Sequence, residues 1–295
     1  MTAPLLPSPQ FLMCPPQHFA VSYSINPWMD PKAWRDSAPA LRDTAARQWE
    51  GLRRALLANG AAVTTVEPRE GLPDLVFTAN AAVVLDGKVL VANFRHAERR
   101  GETPVFTHAF EALRERGLVA EVRQMPDGVT LEGAGDCLWD AERRMFWTGA
   151  GFRSDAQAAD VVPDVFGVPA VALPLADPRF YHLDTCFCPL PNGTVMYFPA
   201  AFTPDALAKI HARVPASARI ELDEADAERF CANAVAFGGV IVMSSASAEL
   251  TAQLKARGYR VVTSPLQAFQ RSGGSACCLT LRLDHRAHAA AARSA

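Results

Sequence analysis

With 29 basic and 31 acidic side chains spread over 295 residues, and a net charge of −2, the chain has no basic face to offer nucleic acid or an anionic membrane. Its apolar and charged fractions, 49% and 20%, are those of an ordinary globule with enough chain for a substantial core. No apolar run approaches the ~20 residues that a helix needs to span a bilayer.

The N-terminal Met1-Thr-Ala-Pro-Leu-Leu-Pro7 lacks the charged and apolar regions of a signal peptide, and a cytoplasmic location is expected. Residues 11–14 form a short apolar strand, followed by a proline-punctuated loop through Ile25-Asn26-Pro27. Over 40–58 the apolar residues Leu41, Ala45, Trp49, Leu52 and Leu56 fall at helical spacing, with Asn59-Gly60 as a stop. Residues 62–66 read as a strand.

A pattern then recurs. Strands at 81–85 and 88–92 flank Asp86-Gly87, a hairpin signal; a helix at 103–116 and a strand at 118–122 follow. The second copy has strands at 137–139 and 145–148, a helix at 154–165 and a strand at 170–173. The third has 186–189, 194–198, 204–213 and 218–221, and the fourth 234–237, 240–244, 248–256 and 260–263. A fifth copy is split, its first strand at 278–283 and the rest supplied by the N-terminal elements. Strand–turn–strand–helix–strand thus repeats about every 50 residues. A split terminal copy predicts a closed ring: an α/β-propeller of five ββαβ units with pseudo-fivefold symmetry, forming one domain over 1–295. The Ala-rich stretch 286–295 is expected to be a helical or disordered tail.

Equivalent positions in a ring face a common axis. The residues preceding or opening the first strand of each copy are Asp74 and Asn80, Glu132 and Asp136, His182 and Asp184, Asn233, and Cys278. Taken singly, each has an ordinary structural role: turn residue, cap, buried histidine, packed thiol. Together they bring a thiol, an imidazole and carboxylates to one centre, a set suited to nucleophilic catalysis. Seven cysteines without framework spacing fit a reduced compartment. Neither Cys186-Phe-Cys188 nor Cys277-Cys278 has a zinc spacing, so no metal is expected.

Phe77-Thr-Ala-Asn80, Leu131-Glu-Gly-Ala-Gly-Asp136, His182-Leu-Asp184 and Gly273-Gly-Ser-Ala-Cys-Cys-Leu-Thr280 occur in the order seen in the guanidino-group-modifying superfamily, the pentein fold, and the chain resembles that superfamily over essentially its whole length. The resemblance implies that Cys278 is the nucleophile, His182 the general acid/base and Glu132 its carboxylate partner, with no cofactor. It implies that Asp184 grips a guanidinium, and that Arg99 and Arg153 hold the carboxylate end of the substrate, with Asn26, Asp74 and Asn80 completing the substrate-binding set. Cys277 would point to the other face of the Cys278 strand.

Deiminases of this kind carry Asp where this chain has Asn80. That exchange, with Ile25-Asn26-Pro27, is similar to the arginine dihydrolases, which convert arginine to ornithine, ammonia and carbon dioxide. The implied partner is a small guanidino compound, arginine or a derivative, and a homo-oligomer stays open. The alternatives are a dimethylarginine dimethylaminohydrolase, an amidinotransferase, or a non-catalytic binding protein of the same fold. The loop 17–34 is expected to cover the site.

Overall fold

In a computed structural model the described residues are 8–287; the expected tail lies outside them from 288 onward. Strand β1 (Gln10–Met13) leads through a long covering segment to helix α1 (Ala38–Ala58) and strand β2 (Ala62–Thr65). Helix α1 buries Ala45, Trp49, Leu52 and Leu56 against Phe11, Val240 and Val242. Burying a large apolar side chain of this kind stabilises by roughly 1.5–3 kcal/mol. Gly60, at φ 87°, ends the helix turn as Asn59-Gly60 predicts.

Four complete units follow. The first has β3 (Ala82–Leu85), β4 (Lys88–Val91), α2 (Glu102–Glu115) and β5 (Glu121–Gln124). The second has β6 (Cys137–Asp140), β7 (Met145–Ala150), α3 (Ala158–Phe166) and β8 (Ala170–Pro174). The third has β9 (Phe187–Pro189), β10 (Val195–Tyr197), α4 (Pro204–Arg213) and β11 (Arg219–Glu221). The fourth has β12 (Val235–Phe237), β13 (Val240–Met243), α5 (Ala248–Ala256) and β14 (Arg260–Thr263). Strand β15 (Leu281–Arg282) returns to pair antiparallel with β1, which pairs parallel with β2. The fifth unit is therefore built from both ends of the described chain.

Every sheet has three strands with the same logic: an antiparallel pair, then a parallel one. A tight turn can close the first pairing, whereas the parallel one requires a crossover, and the helix supplies it. Asp86 and Gly87 both have positive φ, as do Gly238 and Gly239, the geometry a two-residue hairpin turn demands.

The first strand of each unit is preceded by a short turn, and these turns touch in a circle. The Ala79 N–H donates to Cys278 O (3.1 Å), and the Asn80 amide to Glu132 O (3.4 Å). The Leu183 N–H donates to Asp136 Oδ1 (2.9 Å), the Asn233 amide to Asp184 O (3.0 Å), and the Cys278 N–H to Asn233 Oδ1 (3.1 Å). Five junctions, each crossing from one unit to the next, close the ring at its axis. Among the described residues no helix is long and apolar enough to cross a membrane.

Candidate active site

The converging turns carry the predicted residues. Asn80 lies in the 3-10 turn Thr78–Ala81, Asp136 in the single α-helical turn Gly133–Asp136, and Asp184 in the 3-10 turn Leu183–Thr185. Glu132 and His182 immediately precede the last two, and Asn233 lies just before β12. Cys278 sits in a helical turn, where the Leu279 N–H donates to Ser275 O and the Thr280 N–H to Cys277 O. The expected strand over 278–283 is thus confined to Leu281–Arg282. The two cysteines still diverge, as neighbours on a turn must. Cys277 lines a cavity of about 340 Å³ together with Cys137, Cys188 and Ala234, while Cys278 faces the polar cluster.

His182 and Glu132 meet as expected, Nε2 to Oε2 at 2.8 Å. Both side chains are buried, at 1% and 0% exposure. Burial alone would raise the Glu132 carboxyl, but Arg153 and His182 together hold it well below the usual carboxylate range. An ionised Glu132 can only accept, so His182 carries its proton on Nε2 and leaves Nδ1 free to take one. Glu132 also accepts from Arg153 NH1 (2.8 Å) and from the Arg95 backbone N–H (3.2 Å). Asp136 stands behind the pair, Oδ2 3.9 Å from His182 Nε2, and accepts from the Ser154 hydroxyl at 2.6 Å.

The sulfur of Cys278 lies against the same cluster. Its thiol donates to Asp184 Oδ2 (3.2 Å) and accepts from the Asn233 amide (3.1 Å). Burial, then Asp184, push the thiol well above its ordinary value, so the resting group is neutral. Asp184 is raised to about 6, by burial above all and against the pull of His182. Its second oxygen, Oδ1, is buried with no hydrogen-bond partner. A carboxylate oxygen left bare in a closed interior is costly, and it marks the place for a cationic donor.

The two arginines are already paired within the protein. Neither presents an open charge: both are 2% exposed and committed to protein carboxylates. Arg99 makes a bidentate pair with Glu102 (2.8 Å and 2.8 Å) and donates from NH1 to Asn80 Oδ1 (2.8 Å). Arg153 bridges Glu132 and the carbonyl of Ile25 (3.2 Å), with its guanidinium over the Tyr181 ring. Buried cations need such partners, and short-range reading of a sequence cannot supply them.

Asp74 accepts from the Tyr23 hydroxyl (2.9 Å) and the Ser272 hydroxyl (3.4 Å), and the Asn26 amide donates to Ser272 O (3.0 Å). Tyr23, Ile25, Asn26 and Trp28, whose indole donates to Arg179 O, bring the 14–30 segment down over the cluster. The expected loop 17–34 ends at residue 30, because the chain is helical over Pro31–Asp36 and that helix buries Trp34 in the core beside Phe19. Tyr23, Tyr181, Ser154, Ser272 and Glu102 had no sequence signal of their own; Tyr181 was marked only by its place next to His182.

Gly135 is required by closeness. A Cβ there would overlap the Asn80 amide and lie 3.4 Å from His182 Nδ1. Gly135→Ala is expected to lower turnover about 100-fold, the scale of an ångström-size misplacement, with the circular dichroism spectrum unchanged. Among the described residues no group of three or more His, Cys, Asp or Glu side chains is placed to hold a metal ion.

The propeller of five ββαβ units is the fold of the guanidino-group-modifying proteins. The chain belongs to the dimethylarginine dimethylaminohydrolase family: the family model described as N,N dimethylarginine dimethylhydrolase, eukaryotic, matches residues 16–284. It is 43% identical over 274 residues to the bifunctional arginine dihydrolase/ornithine cyclodeaminase AgrE of Nostoc sp., a match covering 93% of this chain but 38% of that protein. It is 38% identical to the N(G),N(G)-dimethylarginine dimethylaminohydrolase of Mycobacterium tuberculosis, covering 93% and 85% of the two chains. The crystal structure of the N-terminal domain of ArgZ, a cyanobacterial arginine dihydrolase, bound to substrate, superposes with a TM-score of 0.88 at 39% identity, covering 95% of this chain and 100% of that one.

Proposed function

We propose that the protein hydrolyses the guanidino group of arginine through a covalent adduct on Cys278, and does so twice, as an arginine dihydrolase. The observation that carries this reading is the bare Oδ1 of Asp184 beside a sulfur that Asp184 itself keeps protonated. A guanidinium suits that oxygen, since a planar cation with several N–H donors matches a carboxylate. Its arrival satisfies Asp184 and places a positive charge at the thiol, which favours loss of the thiol proton.

The thiol proton passes to Nδ1 of His182, and the thiolate attacks the guanidinium carbon, giving a tetrahedral adduct. His182 protonates the departing nitrogen, ammonia leaves, and a thiouronium remains on sulfur. Water attacks that carbon, Nδ1 of His182 takes its proton, and the carbon–sulfur bond breaks to give citrulline. A second round on the ureido group releases a second ammonia; the resulting carbamate loses carbon dioxide and leaves ornithine. Arg99 and Arg153 are the cations on offer for the substrate carboxylate, Arg153 by exchanging its contact with Ile25 O. Asp74 and Asn26 close the far end under the covering loop, and no cofactor takes part in these steps.

Asn80 separates this reading from its neighbours. Its oxygen is taken by Arg99 and one amide N–H by Glu132 O, which leaves the second N–H for a ligand, and a neutral amide tolerates both a guanidinium and an uncharged ureido group. Asn80→Asp is expected to shift product from ornithine to citrulline, read by mass spectrometry with arginine as substrate. A wild type that stops at citrulline excludes the dihydrolase. The second reading, release of dimethylamine from asymmetric dimethylarginine, is favoured by the family match and the mycobacterial relative. Arginine and dimethylarginine offered side by side to the purified protein distinguish the two; a preference for arginine is expected.

The Asp184 carboxyl sets a pH dependence. With its folded value at about 6, above the ~3.9 of an exposed aspartate, Asp184 contributes most to fold stability below pH ~4 and that contribution is lost as pH rises through about 6. Binding of a cation runs the other way. KM for arginine is expected to rise as pH falls below about 6, and Asp184→Asn to raise KM at all pH values and remove that limb.

A further inference from the structure

Asn233 uses all four of its hydrogen-bonding positions, and all of them serve the cysteine turn or the unit beside it. Oδ1 accepts from the backbone N–H of Ser275 and of Cys278, both at 3.1 Å. With two N–H groups aimed at one atom, that atom is the oxygen, and the amide orientation follows. The nitrogen donates to Asp184 O (3.0 Å) and to Cys278 Sγ (3.1 Å). The side chain is fully buried, so none of these bonds is exchanged with water.

We propose that Asn233 is the positioning residue of the nucleophile: its oxygen clamps the turn that carries Cys278, and its amide N–H holds the sulfur as thiolate once the thiol proton has left. This role rests on the reading of Cys278 as nucleophile and adds a residue from the fourth unit, which otherwise contributes nothing to the chemistry. The physical basis is simple. The sulfur is buried and faces a carboxylate, both of which disfavour negative charge; the amide of Asn233 and the backbone amide of Ser275 oppose them. A donor to sulfur is worth more to a thiolate than to a thiol, because hydrogen bonds to charged groups are about twice as strong.

The groups that titrate or carry charge around Cys278 are Asp184, His182 and Tyr181 from the third unit, Arg153 over Tyr181 from the second, Asp74 from the first, and Cys277 beside it. All are retained in an Asn233 variant, so a difference from wild type reports on the amide.

The test is the pH profile of Cys278 alkylation by iodoacetamide in the substrate-free enzyme, with the modified residue located by peptide mapping. In Asn233→Ala the midpoint is expected to rise by at least one pH unit, and alkylation at pH 8 to slow about tenfold. A merely structural Asn233 gives the opposite sign, since a loosened turn exposes the sulfur and speeds alkylation. An unchanged midpoint, or faster alkylation, overturns the role. Should Asn233→Ala fail to fold, wild type carries the test: the Asn233 side-chain amide proton is expected to shift in NMR spectra with the same pH midpoint as the alkylation profile, and to lose that shift in Cys278→Ala. An amide resonance that does not follow the thiol overturns it equally. Failure to alkylate Cys278 in wild type at any pH counts instead against the nucleophile itself.

Discussion

Cys278→Ala is expected to abolish turnover of arginine, by a factor on the order of 10⁴ to 10⁶, the scale on which removal of a covalent nucleophile acts. The fold should survive. The sulfur makes two hydrogen bonds, to Asp184 and from Asn233, and the turn beneath it is held by backbone bonds to Ser275 O and to Asn233 Oδ1 that alanine keeps. Cys277→Ala is the matched control. That thiol lines the cavity on the other side of the turn, with burial and the nearby Asp184 carboxyl pushing it well above its ordinary value, and turnover within about threefold of wild type is expected. Steady-state assays with both variants, alongside thermal melts, read the contrast directly.

Glu132→Gln carries the second large effect, on activity and stability together. The carboxylate holds the proton of His182 on Nε2 and offsets the charge of Arg153, and all three side chains are buried. The isosteric amide keeps the shape and loses the charge. His182 then faces an amide that can accept or donate, so its tautomer is no longer fixed and its protonated form loses the carboxylate charge, and turnover is expected to fall on the order of 10³-fold. Arg153 is left without its counter-ion in the interior, at a cost of about 3 kcal/mol or more. A chain of this length should lose at least ~5 °C in Tm. Because Glu132 is ionised in the folded protein far below its unfolded range, the stability it contributes is present at neutral pH and lost as pH falls through the acid range. The Tm gap between wild type and Glu132→Gln should therefore narrow in strong acid. A Tm equal to that of wild type at pH 7 contradicts the pairing.

How much of this was legible beforehand depends on where local chemistry decided the outcome. Helices α4 and α5 fall where the periodicity places them, because Thr203 and Ser247 cap them and the buried faces repeat at helical spacing. Helix α3 starts at Ala158 rather than at residue 154, since Ser154 is bonded to Asp136 and Asp155 to Arg95 and Thr130. Those residues serve the site, and site geometry overrides helix propensity there. Strand β5 lies at Glu121–Gln124, three residues beyond its expected start. Leu118 and Val119, which made the earlier position attractive, pack as a connector after Gly117, while Glu121 and Arg123 lack the apolar signature.

The segment after the two glycines shows the limit most clearly. Leu279, Leu281 and Leu283 are all buried, as an alternating strand requires, yet Leu279 belongs to a helical turn. Burial alone cannot separate the two. At the site, the residue types and their place in the repeat were readable, because pseudo-symmetry gives them a common address. The partners were not: nothing near Arg99 in sequence announces Asn80, and nothing near Arg153 announces Glu132. Such pairings exist only after the ring has closed.

The most direct measurement is mass spectrometry of enzyme acid-quenched during turnover of arginine, then digested. The expected result is an adduct of arginine less ammonia on the peptide bearing Cys278, with ornithine accumulating in the supernatant. Ornithine formed at an undiminished rate by Cys278→Ala, or an adduct found on a different cysteine, would contradict a sulfur-centred site at the propeller axis.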